Sequence, residues 1–420
     1  DLGFQLSSFA VVGLLWAGAN DRSTFLAKAS SLRTSLSATL MSTPLIAEGF
    51  GVASLVGGTL SILVLPVVTY WIAPGIVLLI LLWCLEQSTA EPVVSFIELG
   101  VAIINAFADV LAPFAQSISW TGWMFMVLGC MLLAVRWSSV LACLILLVTV
   151  YGGLGSLTDE PVARLRIDAL DVGQGDATLI RTPDGQSILF DTGGQPGGEW
   201  GEDGFYDAIV ELRRLGISRI DMIIVSHPDP DHTGALEAIL RSFEVGRLLV
   251  DHYASDDLRL KRTISAWCSE KIACRLSLPE YLVWRSGETR FEIYGLGSIH
   301  GQYLSDNERS LSLRVSQGHQ SALLTGDLPR WAELSLLRRI DGPVGLLKLG
   351  HHGSRTSSDR WFLETLAPQL AWSSHGQLNR FGHPHADVLE RLEALNIPLD
   401  STAEQGTLTY ELIASGWVRR

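Results

Sequence analysis

Residues 226–233 read SHPDPDHT and close the apolar run DMIIVS (221–226), so His227, Asp229, Asp231 and His232 crowd the mouth of a buried strand. Two carboxylates and two imidazoles packed this closely are costly to bury unless a cation compensates them. Positions 227 and 229 project the same way from an extended strand end, whereas 231 and 232 open the following turn and reach a neighbouring position. Pro228 and Pro230 hold φ and reduce the entropy lost when the segment binds. The competing reading is a polar helix start, with Asp231 capping a helix over 232–243.

Outward from this segment the pattern is one of short strands and helices. On its N-terminal side, ARLRIDALDV (163–172) alternates, and ATLIRT and SILFDT flank a PDG turn at 183–185. A Gly-rich loop (192–204) and a helix around Tyr206–Leu215 come next. On its C-terminal side, TGALEAILRSF (233–243) predicts a helix and RLLVD (247–251) a strand. SLSLRVS (310–316) and SALLTGD (321–327) predict a strand pair about the turn QGHQ. A helix over LPRWAELSLLRRI and a buried strand VGLLKLG (344–350) ending in HHGS follow. Strands then helix, repeated in two halves, predict an α/β fold of the αββα sandwich type, with helices on both faces of two packed sheets.

The remainder of the chain is different in kind. It has 420 residues, room for two or three domains, and 48% of them are hydrophobic. The mean hydropathy of +0.28 is high for a soluble enzyme, and the apolar excess lies before residue 153. The predicted organisation is therefore a multi-helix membrane domain over 1–155 and an α/β domain over 160–420. A helix needs about 20 apolar residues to cross a bilayer. Candidates are 4–18, 36–48 with 50–70, 72–87, 118–135 and 138–153. The stretch 92–115 carries Glu98 and Asp109 and reads either as a span facing a polar cavity or as an interfacial helix. Arg22, Lys28, Arg33 and Arg136 place their loops in the cytoplasm and the 160–420 domain outside it. The opening DLGFQLSSFAVVGLLWAG reads as cut from inside a longer membrane protein.

A net charge of −13 excludes general attraction of nucleic acid to a basic surface, so any polyanion must be held by local basic residues or metal ions. Cys84, Cys130 and Cys143 sit in the apolar half as small hydrophobes. Cys268 and Cys274 fit no zinc spacing; they are a disulfide if the domain is extracytoplasmic, or two free thiols.

The SHPDPDHT segment resembles the HxHxDH signature of metallo-β-lactamase-fold enzymes, with Asp229 in place of the second His. That substitution resembles the C-terminal domain of the ComEC family, membrane channel proteins of bacterial DNA uptake. DVGQGDA (171–177), LFDTGG (189–194), NERSL (307–311), LLTGD (323–327), KLGHHGSRTSS (348–358) and RFGHPHADVL (380–389) resemble the same family in the same order. GFQLSSFA at the start resembles a piece of its membrane domain, so the resemblance spans nearly the whole chain.

The resemblance implies roles for individual residues. Asp327 matches the carboxylate that bridges two metals, and His351 the late His ligand, with His352 its rival. Asp191 matches an early Asp that supports the site from behind. No His is evident at the position, between the motif and Asp327, where many relatives have a ligand; Asn307 and Ser310 occupy that region, so one metal position is expected to be weaker or filled only with substrate. Two divalent ions are expected, Mn²⁺ or Zn²⁺, with the oxygen-rich donor set of Asp229, Asp231 and Asp327 leaning toward Mn²⁺. Metal-assisted hydrolysis is the implied chemistry, Asp231 orienting the attacking water or acting as base. Lys348 is expected to meet a phosphate, and Ser354 with the Gly353–Ser354 amides an anion. His383 and His385 suit substrate positioning or protonation of a leaving group. Asp171, Gln174 and Asp176 are read as tight-turn residues supporting the metal loop; His252, His300, His319 and His375 carry no motif.

The resemblance further implies a multi-pass protein of the bacterial inner membrane that acts with other DNA-uptake proteins. Its membrane part would pass one DNA strand while its hydrolase domain degrades the other. The alternatives are a membrane-tethered hydrolase of another phosphodiester or ester, and a non-catalytic pore subunit with a structural metal domain.

Overall fold

The computed structural model describes residues 67–84, 91–111, 163–194, 203–251, 257–268, 272–275, 280–295, 304–377 and 379–420. The chain divides into two units, Asp1–Thr158 and Asp159–Arg420.

In the first unit a π-helical turn, Val68–Ile72, runs into the helix Ala73–Cys84, and a second helix spans Glu91–Leu111. Glycines let the two approach: a Cβ on Gly75 would stand 2.7 Å from Ile97, and Trp71 stacks on Phe96 with ring centroids 5.1 Å apart. Trp71 Nε1 donates to the Phe96 carbonyl at 2.7 Å. The first helix coincides with the span expected over 72–87, and Glu98 is exposed on the second. Among the described residues no helix is long and apolar enough to cross a membrane. The spans expected at 4–18, 36–48, 118–135 and 138–153, most of 50–70, and the topology-setting Arg22, Lys28, Arg33 and Arg136 lie outside the described residues.

In the second unit, β-branched and aromatic residues at alternate positions drive two sheets. The first contains β1 (Arg166–Ala169), β2 (Thr178–Arg181), β3 (Ser187–Phe190), β5 (Met222–Val225), β7 (Arg247–Val250), β8 (Ala273–Arg275), β16 (Leu408–Ile413) and β17 (Gly416–Arg419), ordered β17-β16-β1-β2-β3-β5-β7-β8. The second contains β9 (Tyr281–Ser286), β10 (Thr289–Tyr294), β11 (Ser312–Gln317), β12 (Gln320–Leu324), β13 (Leu346–Lys348), β14 (Leu370–Ser373) and β15 (Leu399–Ser401), ordered β15-β14-β13-β12-β11-β10-β9. Two short strands, β4 (Arg219–Ile220) and β6 (Glu244–Val245), pair separately.

Ile167, Ile180, Ile188 and Ile224 of one sheet pack with Phe291, Leu313, Leu324 and Trp372 of the other, so the central core lies between the sheets. Each such side chain contributes about 1.5–3 kcal/mol by leaving water. Helices Asp203–Arg214, Leu236–Ser242 and Leu258–Trp267 cover the outer face of the first sheet. Helices Arg330–Leu337, Arg360–Leu366 and Ala386–Ala394 cover that of the second. These four layers are the αββα sandwich expected from the sequence.

Each sheet is parallel on one side: β3, β5, β7 and β8 run parallel, as do β12, β13, β14 and β15. Loops leaving the C-terminal ends of parallel strands are where α/β sheets hold ligands. The motifs LFDTGG, SHPDPDHT, LLTGD and KLGHHGS lie at the C-terminal ends of β3, β5, β12 and β13 and run into the loops that follow.

Cys268 and Cys274 form a disulfide that ties the end of helix Leu258–Trp267 to β8. The expected helix over 233–243 is two pieces, Pro230–Thr233 and Leu236–Ser242. Asp231 lies inside the first turn, the N-cap is Asp229, and no side chain makes a capping bond, so the helix-cap reading of Asp231 falls.

Candidate metal centre

The strained backbone of the site comes from its sequence. Asp191 follows β3 at φ +60°, and His351 and His352 follow β13 at φ +49° and +55°, a left-handed region that side chains avoid unless surrounding structure holds them there. Close backbone crossings do the holding. The Asp176 N–H donates to the Asp231 carbonyl at 3.0 Å, and the Gly193 N–H to the Asp176 carbonyl at 2.8 Å. These bonds bring the 171–176 loop against the metal loop.

Asp191, fully buried, organises the centre from behind. Its Oδ1 accepts from the Ser226 N–H at 2.7 Å; its Oδ2 accepts from the Ser226 hydroxyl at 2.7 Å and from His232 Nδ1 at 2.8 Å. His352 Nδ1 lies 2.8 Å from the Ser374 carbonyl, which can only accept, so this nitrogen carries the proton. In their neutral form both imidazoles therefore turn an Nε2 lone pair inward. His232 Nε2 faces Asp327 Oδ1 at 3.2 Å, and His352 Nε2 faces Asp231 Oδ2 at 3.2 Å. His227 is set likewise, with Nδ1 2.9 Å from the Ser226 hydroxyl and Nε2 3.6 Å from Asp229 and 4.0 Å from Asp327.

Lone pairs aimed at carboxylates repel unless a positive charge sits between them. His227 Nε2, His232 Nε2 and Asp327 Oδ1 are buried without a hydrogen-bond partner. Asp176, His232, Asp327 and His352 each offer a donor atom, and these atoms lie within 4.8 Å of one another. The donor set fits a divalent cation, with each His oriented through its other nitrogen. With no cation in place, protons supply the charge between these groups. Against the downward pull of burial, Asp327 and Asp191 hold His232 well above its ordinary pKa, and Asp176 and Asp327 hold His352 at about 9. Burial acts upward on Asp327, yet His232 and His352 keep it well below the carboxylate range.

The expected site residues divide by position. His227, Asp229, Asp231, His232, Asp327 and His352 converge, whereas His351 stays nearer the rim, 30% exposed, with Nε2 3.6 Å from Asp327 and 3.5 Å from Asn307 Nδ2. Of the two adjacent histidines it is thus His352, the second choice from sequence, that joins the tight group. Asp176 joins it too, although the sequence reading left it as a turn residue. Ser310 accepts from the Asp327 N–H at 3.2 Å and so steadies that carboxylate. Asp171 keeps its turn role, accepting from the Gly173 N–H at 3.3 Å.

Three expectations change. Lys348 is buried, with Nζ in a close ion pair with Asp176, so it neutralises that carboxylate and does not reach into the cleft for a phosphate. Ser354 is buried, its amide donates to the His351 carbonyl at 2.8 Å and its hydroxyl lies 3.0 Å from Thr356 Oγ1, which commits both groups against an anion. His383 packs against His352, His351 and Phe381, and burial beside His352, His351 and His385 pushes it down to about 3. It stands neutral near pH 7, suited to positioning and not to protonating a leaving group. His385 lies beside it at the rim, its Nδ1 accepting from the Arg355 N–H at 3.3 Å. Ser226, inside the opening motif yet unassigned from sequence, supports Asp191 and His227 together; a hydroxyl preceding the first His was the available signal.

Asp191→Asn would set an amide nitrogen against an N–H donor. It is expected to weaken divalent-metal affinity about 10–100-fold with the fold retained. Competition titration with a chelating dye measures this, and wild-type affinity would exclude the orienting role.

Residues 170–371 match the metallo-β-lactamase superfamily and residues 1–149 the competence protein family. The chain is 27% identical to ComE operon protein 3 of Bacillus subtilis over 98% of its own length and 55% of that protein's. It is 31% identical to Recombination protein 2 of Haemophilus influenzae over 57% of its length and 28% of the relative's. Among solved structures, CmlA, a diiron β-hydroxylase from Streptomyces venezuelae, aligns with a TM-score of 0.41 at 16% identity, covering 59% of this chain and 54% of that one. The chain spans about half the length of the Bacillus relative. The chain thus joins a competence-protein region to a metallo-β-lactamase-superfamily region, and over most of its length it is similar to competence proteins of the ComEC family.

Proposed function

We propose that the 160–420 domain is a metal-dependent nuclease acting on the DNA strand that is not transported, and that 1–155 is part of the multi-pass membrane channel for the other strand. The observation that carries the hydrolase reading is the pair of inward Nε2 lone pairs, His232 and His352, set 3.2 Å from Asp327 and Asp231. The DNA reading is supported by the competence family. The membrane setting, with the domain on the extracytoplasmic face and other uptake proteins as partners, is supported by that family and by the apolar N-terminal stretches. A disulfide in this domain accords with that face.

Asp176, Asp231, His232, Asp327 and His352 would hold one divalent ion, and His227 and Asp229, sharing Asp327, a second and weaker one. Mn²⁺ or Zn²⁺ bound there supplies charge for the phosphoryl oxygens and lowers the pKa of an attacking water. Hard carboxylate donors favour Mn²⁺. Among the protein's own groups, Asp231, whose Oδ2 lies 3.2 Å from His352 Nε2, orients the water and accepts its proton. Neutral His383, with His385 beside it, positions the strand at the rim, with Asn307 beside His351.

The test is cleavage of labelled single- and double-stranded DNA by the full chain in detergent with Mn²⁺ or Zn²⁺, beside a small phosphodiester. Cleavage that Asp231→Ala removes supports the nuclease. Turnover of the small diester alone points to a different substrate, and bound metal without any cleavage to a structural metal domain.

A further inference from the structure

The outer face of the second sheet is covered by helices over β12–β14, but over β9–β11 a cavity of about 530 Å³ remains. Arg285, Arg290, Arg314 and Arg339 line it together with Tyr281 and Tyr294. None of these residues belongs to the metal centre.

Strand register explains why this cluster is unusual. Arg285 on β9 stands directly opposite Arg290 on β10, and like charges across an antiparallel pair repel. Arg314 on β11 stands opposite Glu292, the one buried carboxylate of the cavity. That carboxylate is already engaged. Its Oε1 accepts from Tyr281 at 2.6 Å, from Arg290 Nη2 at 2.8 Å and from Tyr294 at 3.2 Å. Arg339 is spent on the Gly295 carbonyl, at 2.7 Å, and on the Tyr294 ring. Glu288 and Asp341 also reach the cavity, and Glu288 accepts from Gln317 Nε2 at 3.4 Å. Among the described residues, neither Arg285 nor Arg314 has a carboxylate within 4.0 Å, and Arg314 Nε is buried without a hydrogen-bond partner.

We propose that this cavity is an anion site that receives phosphate groups, with the guanidinium forks of Arg285 and Arg314 as its donors. A planar fork matches two phosphate oxygens at once, and an incoming anion would relieve the Arg285–Arg290 repulsion. In a chain of net charge −13 such a local cluster is also the way a polyanion is retained. The phosphate belongs either to a nucleic-acid backbone or to free inorganic phosphate.

The test uses the full chain in excess chelator, which silences the metal centre. The probes are a fluorescent single-stranded oligonucleotide, titrated across salt concentrations, and inorganic phosphate, titrated by calorimetry. The double variant Arg285→Gln, Arg314→Gln is expected to lose about tenfold or more in oligonucleotide affinity. Its log–log salt slope should fall by about 1.4 for two lost contacts. Arg285→Lys with Arg314→Lys, which keeps the charges but not the forks, should keep the salt slope while recovering only part of the affinity, and unfolding temperatures should match wild type. Weaker oligonucleotide binding assigns the site to a strand backbone; lost phosphate binding with unchanged oligonucleotide binding assigns it to free phosphate. Unchanged binding of both probes, with an unchanged salt slope, overturns the proposal.

Discussion

Asp327→Ala is expected to remove bound divalent metal and to lower the rate of metal-dependent cleavage by about 10³-fold or more. Its carboxylate is the point on which the site converges. Oδ1 lies 3.2 Å from His232 Nε2, and Oδ2 lies 3.6, 3.8 and 4.0 Å from His351, His352 and His227. No rotation of a neighbouring side chain replaces it, because Asp176 is paired with Lys348 and Asp231 with His352. Loss of Asp327 also leaves inward-facing imidazoles without the charge that accompanies them. Metal per chain, measured by mass spectrometry, and cleavage rate should fall together. A variant that keeps wild-type metal content and cleaves within about tenfold of wild type would remove Asp327 from the centre.

The second large effect comes from a residue with no side chain. Gly194 has φ +143°, and a Cβ there would stand 2.2 Å from the Pro230 carbonyl oxygen and 2.7 Å from Gly234 Cα. Both obstacles are backbone, so nothing flexible can yield. Gly194→Ala is expected to cost about 4 kcal/mol or more, or to abolish folding, with metal binding lost in either case because Pro230 precedes Asp231. Gly318 supplies the control. It has φ +60° in the β11–β12 turn with open space around it, so Gly318→Ala should cost only about 1 kcal/mol. Urea titration of the full chains followed by tryptophan fluorescence compares the two. Equal midpoints would show that the loop crossing at Gly194 is not tight.

Much of the centre is legible in the sequence because ligands at strand ends leave local marks. His227, Asp229, Asp231 and His232 are contiguous, and their crowding after an apolar run already requires a cation. Asp327 and the His351–His352 pair lie far along the chain, and only the order of motifs in the family resemblance connects them to the first segment. The choice between His351 and His352 is not a matter of residue type. Two successive left-handed residues send one ring into the centre and leave the other at the rim, and that depends on the Ser374 carbonyl arriving from the end of β14. Lys348 was expected to meet a phosphate, and it is committed to a carboxylate instead. The partner is Asp176, brought in from the β1–β2 loop by backbone hydrogen bonds that carry no side-chain pattern.

By itself the sequence determined that an apolar region precedes an αββα domain, which segments alternate as strands, and that a crowded group of carboxylates and imidazoles follows β5. Those properties are local: periodicity, turn residues and charge crowding act over a few positions. Only the tertiary structure decided that the C-terminal hairpin β16–β17 completes the first sheet beside β1, and that Asp176 and His352 enter the centre. It alone set Arg285 against Arg290 beneath a cavity with Glu292 already engaged. These pairings join segments distant in sequence, and their energies arise from close packing and hydrogen bonds that exist only once the chain has folded.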